Sequence, residues 1–380
     1  MRPISRRIML GSSAAALGLA QSSGQRTFAY TGCYTTKERK ARGDGIHAYR
    51  VDPESGAWTH IQHVGNLVNP SFLVLDRQAH YLYAVHGDET YATAFSVNAE
   101  TGELTLLNTA ATGGRNGVSQ AVDPSGKFLI VANYSSGNVG VLPVTPNGRL
   151  ADAVQVVTLR GKPGPHPYEQ TGSHPHQVVF DPSGKYVLVP DKGLDRIFVF
   201  EFDADKGKLI PTEHGSASAA PGSGPRHLAF HPRLSVFWVL NELRNSLVTC
   251  QWATGEGYLR SLQTLPSLPE HYTGDNTAAE IAVSADGRFV YCSNRGHDSI
   301  AVFATDETTG WLTLVGGTPS GGRVPRFFAL DPTGRFLYAA NEQSDKIVPF
   351  RIDAAKGTLA SAGAPIEVAS PVSIAFARFE

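Results

Sequence analysis

The sequence predicts an all-β fold, a seven-bladed β-propeller with four antiparallel strands per blade. Three observations predict it. A turn motif recurs with a period near 50 residues, the length of one such blade. A second turn, ending in glycine, occurs seven times. The first repeat lacks its opening strand, and that strand stands at the far end of the chain.

The clearest copies of the first turn are Asp123-Pro124-Ser125-Gly126-Lys127, Asp181-Pro182-Ser183-Gly184-Lys185 and Asp331-Pro332-Thr333-Gly334-Arg335. Weaker copies start at Asp76, His231 and Ser284. Each copy has the same parts. A short apolar strand A precedes the turn, as in Val178-Val179-Phe180, and strand B follows, as in Tyr186 to Pro190. A polar loop leads to strand C, as in Arg196 to Phe202. The second turn then ends at Gly56, Gly102, Gly148, Gly207, Gly257, Gly310 or Gly357, and strand D begins. Alternating β-branched and aromatic residues in B and C favour strand over helix.

The first copy opens directly on a B-like strand, Thr27 to Thr31. The C-terminal Pro371 to Phe376 matches the A-like stretch Pro70 to Leu75. The last strand is therefore expected to complete the first blade, leaving no exposed sheet edge. The propeller domain is expected over residues 27–380.

Composition is that of an ordinary globular chain: 41% hydrophobic, 18% charged, formal net charge −1. That balance provides no general electrostatic grip on nucleic acid or an anionic membrane. Cys33, Cys250 and Cys292 match no metal spacing or disulfide framework and are expected to be buried. Residues 1–20 resemble a bacterial twin-arginine export signal, with Arg6-Arg7 ahead of an apolar run too short to span a bilayer. Met9 and Gly11 depart from its usual pattern. The resemblance implies a periplasmic or secreted protein, with no membrane attachment once the signal is removed.

Strands alternate in direction, so one face of the disc carries the A–B and C–D turns. The other face carries the B–C loops and the D-to-A linkers. The first holds generic turn chemistry. The second holds His174, His176, Arg226, His227, Glu280 and Arg326 on its linkers, with Asp191, Glu242, Arg295 and Asn341 on its B–C loops. Two long insertions, Gly161 to Gly172 and Pro266 to Asn276, lie on the same face.

These residues resemble a known family, the seven-bladed propeller lactonases, which include 6-phosphogluconolactonases and fungal carboxymuconate-lactonizing enzymes. The resemblance rests on Gly224 to His227, Val239 to Glu242, Ala279 to Ile281, Ser293 to Gly296 and Asn341 to Lys346. It implies a catalytic set of His176, Arg226, Glu242 and Arg295. His174, Asp191, His227, Glu280, Arg326 and Asn341 are expected to bind substrate.

Lactone hydrolysis needs a base for the attacking water and positive charge where the oxyanion forms. Glu242 is the favoured base, with His176 as general acid or orienting group. The two arginines suit the oxyanion or an anionic group of the substrate. They also argue against a cation held by Asp191, Glu242, Glu280 and Asn341, so no metal or cofactor is expected. The partner expected is a small lactone or anionic sugar acid, acted on by a monomer. A muconate-type lactonizing isomerase and a non-catalytic scaffold propeller are the alternatives.

Overall fold

The computed structural model describes residues 25–380. The expected export segment lies outside them. Seven sheets are arranged as the blades of a propeller, each with the order A-B-C-D from the axis outward. The first blade takes its strand A from Pro371–Phe379, which pairs antiparallel with Arg26–Cys33 over the whole strand. Beyond it follow Ile46–Val51 and Trp58–Val64 as strands C and D. The expected closure is thus the one observed, three residues longer than Pro371 to Phe376. Among the described residues no helix is long and apolar enough to cross a membrane.

The turn motifs form because their side chains replace missing backbone partners. Asp123, Asp181 and Asp331 each accept from the first backbone N–H of strand B, at Phe128, Tyr186 and Phe336. His231 stands where the others have Asp, and its Nδ1 accepts from the N–H groups of Arg233 and Leu234. An imidazole nitrogen acting as acceptor there explains why that copy looked weak in sequence.

The seven C–D turn glycines all have positive φ, between +62° and +78°. They also meet the neighbouring blade. A Cβ on Gly102 would sit 2.3 Å from the Phe28 ring, and Tyr30 Oη donates to the Gly102 carbonyl at 2.9 Å. Gly56 meets Phe336 in the same way, with Tyr338 Oη donating to its carbonyl at 2.7 Å. Farther out, side-chain amides clamp successive D strands. Gln62 bonds both backbone groups of Leu104, and Gln155 and Gln263 do the same for Leu209 and Leu312. The apolar core therefore lies between blades, in seven clusters such as Ile130, Val187 and Phe200. Cys33, Cys250 and Cys292 are buried in three of these clusters.

In three blades a buried amide at the end of strand B ties down the linker entering the same blade. Asn133, Asn294 and Asn341 donate to the carbonyls of Thr112, Ser267 and Ser320. In the second blade the position belongs to His86, whose ring nitrogens lie 2.6 Å from the Val68 carbonyl and 2.7 Å from Thr93 Oγ1. Burial pulls this imidazole down to about 4. A folded value below the ordinary histidine range means that the unfolded chain takes up the proton first as pH falls. The stabilisation is full above about pH 6.5 and is lost as pH falls toward 4, by at most about 1.4 kcal/mol per pH unit. His86→Asn installs the residue used by other blades. It is expected to lose about 1–2 kcal/mol less stability than wild type between about pH 7 and 5. Urea denaturation at the two pH values measures the difference.

Candidate active site

Strand A of every blade carries one extra residue relative to strand B near its start. The register passes from Pro225↔Asn241 to His227↔Leu240, which leaves Arg226 unpaired in the ladder. The same excess leaves out Val372, Ser71, Val118 and Arg326 in their blades. In the sixth blade it falls between Ala278 and Ile281. In the fourth it falls between the Pro175↔Asp191 bridge and Val179↔Leu188, at the segment that carries His176. A bulge re-aims a side chain out of the pleat. Here the re-aimed residues line the axis: Ser71, Val118, His176, Arg226, Arg326 and Val372 surround one small void at the bottom of the mouth.

A second ring lies above it, formed where each strand B runs into its B–C loop. Tyr34, Tyr134, Lys192, Glu242 and Arg295 belong to this ring, and all line a cavity of about 220 Å³. The second blade has Gly87 there. A Cβ at Gly87 would come within 3.3 Å of Arg39 Nη2, so the loop after Tyr34 fills the gap with Arg39. Asp88 holds Arg39 through a two-point ion pair, and the guanidinium stacks 4.3 Å over Tyr34.

Glu242 is the centre of charge. Its Oε1 accepts from Lys192 Nζ at 3.2 Å, and its Oε2 lies 2.9 Å from Arg226 Nε and 3.2 Å from Arg295 Nη2. The Arg226 contact is one of charge rather than an aligned hydrogen bond. Burial pushes the Glu242 carboxyl up, but Arg295, Lys192, Arg226 and Arg326 outweigh it and hold the group well below the usual carboxylate range. Lys192 is opposed by burial and kept charged by Glu242, and Glu169 of the first insertion lies 2.6 Å from its Nζ. Arg226 also donates to the Ala279 carbonyl, and Arg295 to those of Thr277 and Ala278. These bonds fix both guanidinium planes.

His176 is 5% exposed, and its Nδ1 has no protein partner. Burial, then Arg226, His227 and Lys192, pull its basicity well below the ordinary histidine range, so the ring is neutral. Tyr134 and His227 stand edge-on to it, with centroids at 5.6 and 5.2 Å.

The structure brings His176, Arg226, Glu242, Arg295 and Arg326 together at the mouth. His227 lies one layer deeper, its Nδ1 2.9 Å from Glu280 Oε1. The other expected substrate contacts have different surroundings. Asp191 is fully buried and accepts from Ser173 Oγ and from the N–H groups of His174, Gly193 and Leu194. Asn341 is fully buried on the Ser320 carbonyl. Glu280 is used by His227, and His174 stacks flat on Tyr134 at 4.5 Å. Asp191, Glu280 and Asn341 therefore shape the linkers and the wall instead of lining the cavity.

Tyr134 and Lys192 follow Asn133 and Asp191 on the B–C loops of this face, and sequence reasoning gave them no role. It missed Tyr34, which holds the repeat position of Glu242, because the first blade has no A–B turn to flag it, and Arg39, because that residue lies on a loop outside the repeat. A larger hollow of about 350 Å³ opens outward at blades four and five, but its only ionisable side chains beyond Tyr258 are the exposed His214 and Arg260. The convergent charges single out the mouth.

A propeller that focuses a neutral histidine and a carboxylate-centred cluster of cations on one axial cavity has the build of a hydrolytic enzyme. The chain belongs to the seven-bladed β-propeller lactonases, the family whose model matches residues 28–376. It is 34% identical over 305 residues to a 6-phosphogluconolactonase of Bacillus subtilis, covering 80% of this chain and 84% of that one. A 6-phosphogluconolactonase of Formosa agariphila is 32% identical, with 80% and 86% covered. The solved structure of Pseudomonas aeruginosa periplasmic gluconolactonase superimposes with a TM-score of 0.85 at 31% identity, covering 93% of this chain and 99% of that one.

Removing Glu242 leaves three cations crowded without their counter-charge. Glu242→Ala is expected to destabilise the fold by about 3–5 kcal/mol. Its denaturation midpoint at neutral pH, compared with wild type, tests this.

Proposed function

We propose that the chain hydrolyses a sugar-acid lactone, with His176 as the base at the reacting water. The observation that carries this reading is a neutral histidine, without a protein partner at Nδ1, set on the wall of a cationic cavity. A base must be unprotonated and free to accept, and a neutral imidazole keeps one nitrogen in that state. Glu242, favoured as base from sequence, is a weak one in this setting. Three cations already occupy its oxygens, and their field opposes protonation. Its role here is to hold Arg226, Arg295 and Lys192 in place.

The steps balance as follows. Water adds to the lactone carbonyl carbon while its proton passes to His176. The carbonyl oxygen becomes an oxyanion facing the cations of the mouth, for which Arg226 and Arg295 are the assigned donors. The intermediate collapses, the ring C–O bond breaks, and protonated His176 returns its proton to the leaving oxygen. The product is a hydroxy acid, which ionises and releases one proton to solvent.

Arg39, Lys192, Arg295 and Arg326 line the cavity; Asp88, Glu169 and Glu342 stand behind three of them, but Glu242 is the single carboxylate in the lining. That surplus favours a substrate with an anionic group such as a phosphate. The relatives named above divide on this point, one group acting on a phosphorylated lactone and one named for gluconolactone. Proton release from 6-phosphogluconolactone and from gluconolactone, followed with a pH indicator, compares the two. His176→Asn is expected to lower kcat by about 10²- to 10⁴-fold with KM little changed. If His176→Asn keeps wild-type kcat while Glu242→Gln loses it, the base is Glu242 and this assignment fails.

We also propose that the protein acts outside the cytoplasm, on the strength of the Arg6-Arg7 segment. Replacing both arginines by lysine is expected to retain the protein in the cytoplasm. Fractionation of cells expressing the two forms measures it, and equal export of both would refute the twin-arginine route.

A further inference from the structure

Away from the mouth, the outer edge of the first blade gathers three histidines and an aspartate. His47 lies on strand C, His60 and His63 on strand D, and Asp44 on the loop before strand C. We propose that Asp44, His47 and His63 form a binding site for one divalent transition-metal ion of the zinc class, with His60 supporting His47 from behind.

The backbone brings these side chains together for a stated reason. His47 and His63 are directly opposed in the strand ladder, so they share a face. His60 lies three residues from His63 and would ordinarily point to the other side. The register shifts between Ala48↔Gln62 and Tyr49↔His60, making Ile61 the extra residue of a bulge. Ile61 then packs toward the second blade, and Gln62 reaches Leu104 there. His60 and His63 are left together on the opposite side.

The donor atoms are close enough for a single ion. One oxygen of Asp44, one ring nitrogen of His47 and one of His63 lie within 4.8 Å of one another. His47 Nε2 is 2.7 Å from Asp44 Oδ1, and His63 Nε2 is 3.3 Å from Asp44 Oδ2. Zn–N and Zn–O bonds of about 2.0–2.2 Å at tetrahedral angles place ligand atoms roughly 3.3–3.5 Å apart. Small movements of Asp44 and His63, which are exposed, meet that spacing. The set supplies three protein ligands and leaves a fourth position for water.

The chemistry of the donors selects the ion. Two imidazoles with one carboxylate suit zinc, copper or nickel, whereas calcium and magnesium take oxygen ligands. The supporting shell is present too. His47 Nδ1 lies 3.2 Å from His60 Nε2. With Nε2 on the metal, His47 carries its proton on Nδ1, and His60 accepts it. Metal-bound histidines almost always have such an outer partner. The rings of His47 and His63 are stacked at 4.8 Å, which aims both edges at Asp44.

The location gives the ion a structural consequence. Asp44 ends the loop that begins at Tyr34 and carries Arg39, and both of those residues line the mouth cavity. A metal bridging Asp44 to the two strands would pin the outer foot of that loop.

The test uses the full chain, purified without a polyhistidine tag and stripped with a chelator. Equilibrium dialysis against Zn²⁺ is expected to load one equivalent, competed by Ni²⁺ and Cu²⁺ but not by excess Mg²⁺ or Ca²⁺. Bound Co²⁺ is expected to show a visible d–d absorption of four-coordinate intensity. Zn²⁺ is expected to raise Tm by roughly 2 °C or more in wild type. His47→Ala and His63→Ala should abolish all three responses, and His60→Ala should weaken binding by about tenfold. The metal-free Tm values of His60→Ala and His63→Ala should match wild type, since these residues are exposed, and His47→Ala, whose ring is largely covered, is compared with its own metal-free Tm. His271→Ala, an exposed histidine elsewhere, should bind as wild type does. Equal Zn²⁺ binding by wild type and the His47→Ala/His63→Ala double variant, or an equal loss in His271→Ala, would overturn the site.

Discussion

Every blade of this molecule needs a neighbour on both sides, because its apolar residues are shared across the interface and not within the sheet. Only a closed ring meets that need for all seven blades at once. The pairing of Pro371–Phe379 with Arg26–Cys33 is therefore the contact on which the rest depends. Without it, the strand holding Phe28 and Tyr30 loses its inner partner, and with it the seat for the Gly102 turn. The same closure fixes the diameter of the axis, and so the distance across which the mouth residues face one another.

The fold was readable from sequence because its determinants are local and repeated. A turn needs an acceptor at its first position and a positive φ at its glycine, and both leave marks at each copy. Where the mark changed, the physics did not. His231 accepts backbone N–H groups through Nδ1, as the aspartates do through oxygen. The closing strand was readable for the same reason, since Pro371 to Phe376 matches another strand A.

The site was readable only in part. Motif position brought out His176, Arg226, Glu242 and Arg295, which the structure does gather. It did not separate a charged group that faces the cavity from one that anchors backbone. Asp191 and Asn341 hold the same ladder position as Asn133, one residue short of the mouth. One step along the chain exchanges a structural role for a chemical one, and residue type alone does not reveal the step. Arg39 was missed because its place depends on an empty position in a different blade, at Gly87. Glu242 was legitimately a candidate base by type. Its three cationic partners, which argue for another role, come from blades four, five and six and meet only in the folded ring.

The extra residue in each strand A has one further consequence. It lies outside the ladder, and its side chain faces the axis, away from the interfaces that hold the blades together. Selection for stability and selection for chemistry thus act on separate positions. The ring behaves like a dial, set to valine, serine, valine, histidine, arginine and arginine in blades one to five and seven. Altering one setting changes what the mouth recognises while the same frame persists around it. Divergence among propellers of this build should accordingly run around the axis, one blade at a time.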